Sequence, residues 1–330
     1  LTVEALLRAL AIGYEVTTRF ALAYPFPAFY VHPHAAFAAL GAAIAVALAR
    51  GHDAKTMQDA VTGAASMSFA GPFDTAVEGS LVRNGWNAAG AWLGLRAADW
   101  AEGGIGGGID TPYDVFVGCY RTNTIPEALT RGLGSDWSVA NGYHKVYACC
   151  NYAHSAVEAT LELRAQRKPS DLAEIVVETS PGGLALRNYE PATVLAAKFS
   201  IPHAVAASAH LGTAGATAFT LDTLAEPNIA ALRQKVRLAS YANAGPPPRD
   251  RPARVIWRFV DGTELVALRE SPRGGADQPF DEPTLLSKLD ENAGAVFPNV
   301  RQVLEPIIAR ESAMTWREAM AAIVREGARS

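Results

Sequence analysis

The densest group of side chains that could do chemistry lies within residues 143–154. It contains Tyr143, His144, Lys145, Cys150 and His154. A lysine binds a carboxylate as a point charge, or acts as a base when it is desolvated, and an imidazole serves as acid or base near neutral pH. The group therefore predicts a site for an anionic substrate. The alternative is a solvated Lys145 and a core His154 held by a carbonyl.

A second candidate is the His-Pro-His segment from His32 to His34, which precedes an apolar helical pattern. The N-terminus of a helix favours anions, so His32 is a candidate catalytic or substrate-binding residue. A metal site is disfavoured, because no carboxylate or third histidine lies at ligand spacing in the surrounding sequence. The alternative for His32 is a structural cap of the helix.

Arg83 is the third candidate, in a segment that leads into a helical pattern. Its guanidinium can hold a carboxylate through two parallel hydrogen bonds, although a surface arginine beside a packed Trp86 is the alternative. The glycine run at residues 103–108 follows a helix, whereas a dinucleotide site needs strand–loop–helix order, so it predicts a flexible connection. The absence of Gly-x-Ser-x-Gly, P-loop and His-Glu-x-x-His motifs argues against a nucleophilic hydrolase, an NTPase and a zinc protease.

Composition limits the class of protein further. The chain has 330 residues, is 49% hydrophobic and 19% charged, and carries a net charge of -4, which predicts a compact protein of two domains. This charge disfavours nucleic acid and membrane surfaces as partners. Three cysteines, two of them adjacent, predict neither a disulfide framework nor an iron–sulfur cluster. We expect a cytoplasmic protein without a metal or an organic cofactor.

Hydrophobic periodicity predicts the elements that must position these groups. Helices are predicted at both ends of the chain, over residues 3–20, 35–49, 54–70, 84–100, 282–289, 300–310 and 315–325. A helix beginning near Cys149 and another over 204–210 accompany predicted strands at 174–178, 235–238, 254–260 and 263–268, and Asp261-Gly262 is a hairpin signal. The fold class is mainly α with an α+β part: a helical domain at 1–140 and 279–330, and an α+β domain at 141–278.

Several short motifs follow one another along the chain. They are Gly13-Tyr14-Glu15-Val16-x-x-Arg19, His32-Pro33, Gly85-Trp86 followed by Ala88-Ala89, Lys145-x-Tyr147-x-x-Cys150-x-x-x-His154, and Ala197-Lys198-Phe199-Ser200-Ile201-Pro202-His203. In this order and spacing they resemble motifs of the MmgE/PrpD family, which includes 2-methylcitrate dehydratase, cis-aconitate decarboxylase and iminodisuccinate epimerase. The chain has Ala148 where the family's fourth motif has proline, and Asn87 interrupts the third.

The resemblance implies a large helical domain, a smaller α+β lid inserted before the last helices, an active site in the cleft between them and a homodimer without a cofactor. It points to His32, Lys145 and His154 as catalytic residues. His203 stands near the family's lid tyrosine, and Ser80 stands where the family usually has a lysine before Gly-Trp. The predicted substrate-binding residues are Ser80, Arg83, Tyr143, His144, Cys150 and His203.

The implied function is a lyase that removes water from, or adds it to, a small 2-methylcitrate-like hydroxy-polycarboxylate. Epimerisation or decarboxylation on the same scaffold is an alternative, because both need a stabilised carbanion. A non-catalytic subunit or binding module is the third hypothesis. It is motivated by the absence of the family's first helices, which carry its Asp-Asp-Thr and His-Pro-Ser segments, and by Ser80 in place of the usual lysine. A helical pattern already under way at Leu1 predicts a fragment or a processed chain.

Overall fold

The computed structural model describes residues 1–27 and 30–327. They form two compact units. Unit 1 comprises Leu1–Phe73, Val82–Asn141 and the residues from Glu282 onward, and unit 2 comprises Asp74–Leu81 and Gly142–Asp281. The short segment Asp74–Leu81 was predicted in the helical domain, but it packs with unit 2.

Helices dominate both ends of the chain, as the periodicity predicted. In chain order they are α1 (Val3–Ala23), α2 (Pro33–Ala49), α3 (Ala54–Ser66), α4 (Phe73–Val77), α5 (Val82–Glu102), α6 (Thr111–Tyr113), α7 (His154–Gln166), α8 (Pro181–Leu184), α9 (Val194–Lys198), α10 (Ile201–Leu211), α11 (Leu221–Ala225), α12 (Pro227–Gln234), α13 (Glu282–Ala293), α14 (Val300–Ile308) and α15 (Trp316–Gly327). Among the residues described, no helix has both the length and the apolar character needed to cross a membrane.

The centre of unit 1 is α2, which packs against α1, α3 and α5. A helix that is apolar on all faces must be buried, and alanine and glycine let its neighbours approach closely. Gly41 of α2 lies so near Gly13 of α1 that a Cβ on either would come within 2.9 Å of the other's carbonyl oxygen. The prediction of a buried helix over 35–49 is therefore confirmed.

A buried ion pair explains the first sequence motif. Arg19 Nε donates to Glu15 Oε1 at 2.6 Å, one turn apart on α1. Arg19 Nη1 also donates to backbone carbonyls of residues 128, 129 and 131, and Glu15 Oε2 accepts the N–H of Ser138 at 2.6 Å. The motif thus fastens the irregular segment after α6 to α1, which is a structural role.

Unit 2 contains a four-stranded mixed sheet of order β2-β1-β3-β4, formed by β1 (Leu172–Thr179), β2 (Val236–Ser240), β3 (Ala253–Phe259) and β4 (Glu264–Arg269). Strand β1 is parallel to β2 and antiparallel to β3. The β3–β4 hairpin turns at Asp261 and Gly262, and Gly262 has φ +85°. Helices α7 and α10 pack on the strands, and Trp257 is fully buried. The predicted strands and hairpin are confirmed.

One local prediction was wrong. Helix α7 begins at His154 and not near Cys149, because a 3-10 turn at Asn151–Ala153 precedes it. The glycine run 103–108 was predicted as a flexible connection, and part of it packs closely: a Cβ on Gly106 would lie 2.4 Å from Asp59 Cβ and one on Gly107 would lie 2.7 Å from Thr62 O. Glycine is needed there because the backbone lies directly on α3.

Candidate active site

In unit 1, His32 occupies the N-cap position of α2 and is buried. Its backbone N–H donates to Gly71 O at 2.7 Å, and its ring packs against those of Phe73 and Trp86, with centroids 6.0 and 5.6 Å away. The side chain makes no capping hydrogen bond to α2. The structural-cap alternative for His32 is therefore wrong, and the imidazole nitrogens are directed elsewhere.

His32 and His34 form a pair in which the two Nδ1 atoms are 2.8 Å apart. One Nδ1 must donate and the other must accept, so the two rings cannot both be imidazolium ions. Burial, together with the nearby His34 and Arg83, lowers the pKa of His32 to about 3. His32 is therefore a neutral imidazole at pH 7.

Arg83 lies in the first turn of α5, half-buried, where its charge acts on His32. Trp86 follows three residues later on the same helix and contacts the His32 ring. Unit 1 therefore brings together two of the predicted site residues, His32 and Arg83, and adds His34. The His-x-His spacing was the sequence signal for His34, but sequence alone did not reveal its bond to His32.

In unit 2, His154 is fully buried at the start of α7. Its Nε2 lies 3.2 Å from Cys149 O, and its Nδ1 lies 2.7 Å from Tyr143 Oη. A carbonyl can only accept, so Nε2 carries a proton, and in the neutral ring Nδ1 accepts from the Tyr143 hydroxyl. The carbonyl contact expected under the structural alternative is present, but it orients a ring that also bonds another predicted site residue.

Aromatic rings and charged groups surround this histidine. Tyr147 packs edge-on against the His154 ring with centroids 5.2 Å apart, and burial raises the pKa of Tyr147 to about 12. The Arg251 guanidinium lies 4.9 Å from the centroid of the Tyr143 ring. Burial also raises the pKa of Tyr143, which therefore stays a protonated donor at neutral pH.

Arg251 and Glu158 were not singled out in the sequence. Glu158 lies one turn after His154 on α7, is buried, and accepts the N–H of Arg273 at 3.0 Å. Burial raises the pKa of the Glu158 carboxyl. The spacing of four residues on one helix was an available signal for Glu158. No signal was available for Arg251, which comes from a proline-rich loop far along the chain.

Lys145, His144 and Cys150 lie in one segment of unit 2 without regular secondary structure. Lys145 is half-buried and close enough to Cys149 to act on its thiol, although burial is the larger effect and raises the pKa of Cys149 to about 12. His144 is exposed, and its N–H donates to Gly274 O at 2.8 Å. The N–H of Cys150 donates to Lys198 O at 2.7 Å, which joins the fourth sequence motif to the fifth.

His203 does not meet the requirements of a substrate-binding residue. It is fully buried in α10, with Nε2 3.3 Å from Ala218 O and Nδ1 3.2 Å from Arg233 Nη1. Nε2 therefore donates to the carbonyl, and Nδ1 accepts from the guanidinium. Both ring nitrogens are used inside the core of unit 2, so the expected substrate contact of His203 is corrected to a structural role.

Ser80 is exposed in the segment that precedes α5 and belongs to unit 2. Its N–H donates to Thr75 O, and the preceding Gly79 packs against Thr193 and Ala196, with φ +82°. The close contact requires glycine before Ser80. Arg83, three residues later, belongs to unit 1.

Metal ligands can be assessed from the side chains that the structure describes. Among these residues, no three His, Cys, Asp or Glu side chains are grouped so that they could hold a metal ion.

Comparison with known families places the chain in a class defined by a helical unit and a small α+β unit. The family model of the MmgE/PrpD N-terminal domain matches residues 2–129, and that of the MmgE/PrpD C-terminal domain matches residues 147–313. The chain belongs to the MmgE/PrpD family. The resemblance of the motifs and the predicted fold class are thereby confirmed. No curated protein matches the chain significantly.

Proposed function

We propose that this chain is a lyase of the MmgE/PrpD type that removes water from, or adds it to, a small hydroxy-polycarboxylate. The observation that carries the proposal is the group formed by His32, His34 and Arg83 in unit 1. It supplies a neutral imidazole beside a guanidinium. Removal of a proton next to a carboxylate requires a base together with a cation that stabilises the developing negative charge.

The base in this proposal is the His32–His34 pair. Burial and Arg83 lower the pKa of His32, and the negative charge of a bound carboxylate substrate would raise it again so that the pair can take up a proton. The pair takes the proton from the carbon next to a carboxylate, and the electron pair left on that carbon forms the double bond as hydroxide leaves the neighbouring carbon. The pair can return the same proton to the departing hydroxide, which gives water. Because its Nδ1 atoms share one proton, the pair can take up only one further proton. This is the number of protons that the proposed cycle transfers.

Unit 2 supplies a binding cation and a hydroxyl group. Lys145 binds a second carboxylate as a point charge. The Tyr143 hydroxyl donates to His154 Nδ1, so the lone pairs of its oxygen are left to accept a hydrogen bond from the substrate hydroxyl. His154 thus acts as a positioning residue for Tyr143, held in one tautomer by Cys149 O.

The test is NMR spectroscopy in deuterated water with citrate-, malate- and aconitate-like acids. We expect deuterium to enter a carbon next to a carboxylate, and Lys145→Ala to slow this exchange on the order of 100-fold, since a lost charge contact in the transition state has effects of this size. Lys55→Ala removes a lysine that is 71% exposed and is the matched control. In this variant deuterium should enter the substrate at the wild-type rate.

The chemical structure of the reaction product then distinguishes dehydration from epimerisation and decarboxylation. An absence of exchange with every acid, in protein whose folding has been verified, would contradict the proposal and favour a binding or subunit role.

A further inference from the structure

A cavity of about 400 Å³ is lined by residues of unit 2 alone, and none of the site residues assigned above is among them. Its polar lining comes from the end of α7 and the loop after it, the last turn of α10, and α12 with the residue that follows it. These polar residues are Arg164, Lys168, Ser170, His210, Asn228 and Lys235. The volume is in the range of small-molecule sites.

The charge of this cavity is one-sided. Arg164, Lys168 and Lys235 are positive, and no aspartate or glutamate is among the lining residues that the structure describes. Within that part of the chain, no carboxylate forms an ion pair with any of these three cations. Neighbouring arginines differ, because Arg167 pairs with Asp261 and Arg237 pairs with Glu174.

Two of the cations are held in place by backbone carbonyls. Arg164 Nε donates to Ala209 O at 2.7 Å, and Lys235 Nζ donates to Leu172 O at 2.6 Å. Each bond uses one donor of a side chain that has several. The remaining N–H groups of Arg164 and Lys235 are therefore positioned on the cavity wall before a ligand arrives, which reduces the entropy lost on binding.

Compensation of helix dipoles is the simpler explanation for basic residues at helix ends. It accounts for the bond from Arg164 to the last turn of α10. It also applies to the position of Lys235, the C-cap residue of α12, although the side-chain bond of Lys235 is to strand β1. It does not account for Lys168, which lies beyond the cap of α7. Bringing cations from separate elements around one cavity costs electrostatic energy, and a bound anion would offset this cost.

We propose that this cavity is a second binding site, specific for a small polyanion bearing phosphate or carboxylate groups. Arg164, Lys168 and Lys235 would bind the charges, and Ser170, Asn228 and His210 would donate hydrogen bonds to the remaining oxygens. The inference does not depend on the proposed function, because binding at this cavity can be measured without turnover.

Isothermal titration calorimetry with pyrophosphate and with citrate, at constant ionic strength, tests the site. The double variant Lys168→Gln/Lys235→Gln should weaken binding by about tenfold for each cation removed, as expected for charge-assisted hydrogen bonds. Arg249→Gln is the matched control, because Arg249 is an exposed cation of the same unit outside the cavity. Citrate is also titrated into the Lys145→Ala variant, so that binding at the proposed active site is recognised.

Binding of both ligands supports a general polyanion site, and binding of one ligand identifies its chemistry. Equal affinity in the wild type and the folded double variant, or no saturable binding at millimolar concentration, would overturn the proposal. If the double variant fails to fold, acetylation of lysines in the wild-type protein tests instead whether a ligand binds at the cavity. Pyrophosphate or citrate must then protect Lys168 and Lys235 but not the exposed Lys55, and equal labelling with and without ligand would overturn the proposal.

Discussion

At the scale of single residues, three histidines that look alike in the sequence have three different environments. His32 is paired with His34 beside Arg83, His154 orients a tyrosine hydroxyl, and His203 is enclosed between Ala218 O and Arg233. Only the first is both neutral and paired with a second imidazole that can share a proton. Residue type thus identified the candidates, but hydrogen-bond partners separate a proposed base from a structural residue.

His203 leads to a prediction about pH. Burial lowers the pKa of His203 to about 4, and the adjacent Arg233 adds to this effect against the bond to Ala218 O. In the unfolded chain the pKa returns towards its ordinary value of about 6.5. Between these values the unfolded state binds a proton that the folded state does not, so stability falls as pH falls, by up to about 1.4 kcal/mol per pH unit.

We expect His203→Gln to remove this part of the pH dependence, which urea unfolding between pH 7 and pH 4 would measure. Phe219→Leu is the matched control, because its ring contacts that of His203 with centroids 5.7 Å apart but does not titrate. The control should lower stability equally at all pH values. An unchanged pH slope in His203→Gln would show that the proton is taken up elsewhere.

At the scale of elements, close packing of α2 with its neighbours depends on glycine. A Cβ on Gly94 of α5 would lie 2.5 Å from Ala39 O and 2.7 Å from Ala43 N. Gly85, on the same helix, is exposed and would meet nothing within 4 Å. Substitutions at these two positions therefore distinguish two effects of glycine: its close packing at Gly94, and its low helix propensity at Gly85.

Gly94→Ala should destabilise the protein by about 1–3 kcal/mol, because the added methyl group overpacks the contact between α5 and α2. Gly85→Ala should instead stabilise it by up to about 1 kcal/mol, since alanine loses less conformational entropy in a helix than glycine does. Denaturant unfolding at neutral pH measures both. Stabilisation by Gly94→Ala would mean that α5 can move away from α2 at no cost.

At the scale of the whole molecule, the resemblance implies an active site that uses groups of both domains, and this stays a prediction. His32 and Arg83 belong to unit 1, whereas Tyr143, Lys145 and His154 belong to unit 2. If they act on one substrate molecule, their contributions to the rate must be coupled. The homodimer implied by the resemblance stays a prediction.

A double-mutant cycle with His32→Asn and Lys145→Ala measures this coupling through kcat/KM or the rate of deuterium exchange. We expect the double variant to lose little more activity than the more impaired single variant, because groups that act together in one transition state are strongly non-additive. The pair His32→Asn with Lys55→Ala is the control and should show only the loss due to His32. Fully additive losses for His32 and Lys145 would argue against a shared substrate.

Local sequence determined most of the secondary structure of this protein, because helix and strand periodicity depends on residues that are near one another in sequence. It determined the long helices, the Asp261-Gly262 hairpin and the mainly α fold with an α+β part. It also gathered Tyr143, Lys145 and His154 into one segment, where the eleven-residue separation of Tyr143 and His154 is short enough for their contact. Sequence motifs identified the family correctly.

Only the tertiary structure decided which of these groups have hydrogen-bond or charge partners and which of them line a cavity. Arg251 reaches Tyr143 from a distant loop, Arg233 makes His203 a core residue, and Arg164, Lys168 and Lys235 meet around one cavity although they come from separate elements. Burial and long-range charge set these properties, and neither is encoded in local spacing. The sequence therefore determined the elements and the candidates, while packing between distant segments decided what each candidate can do.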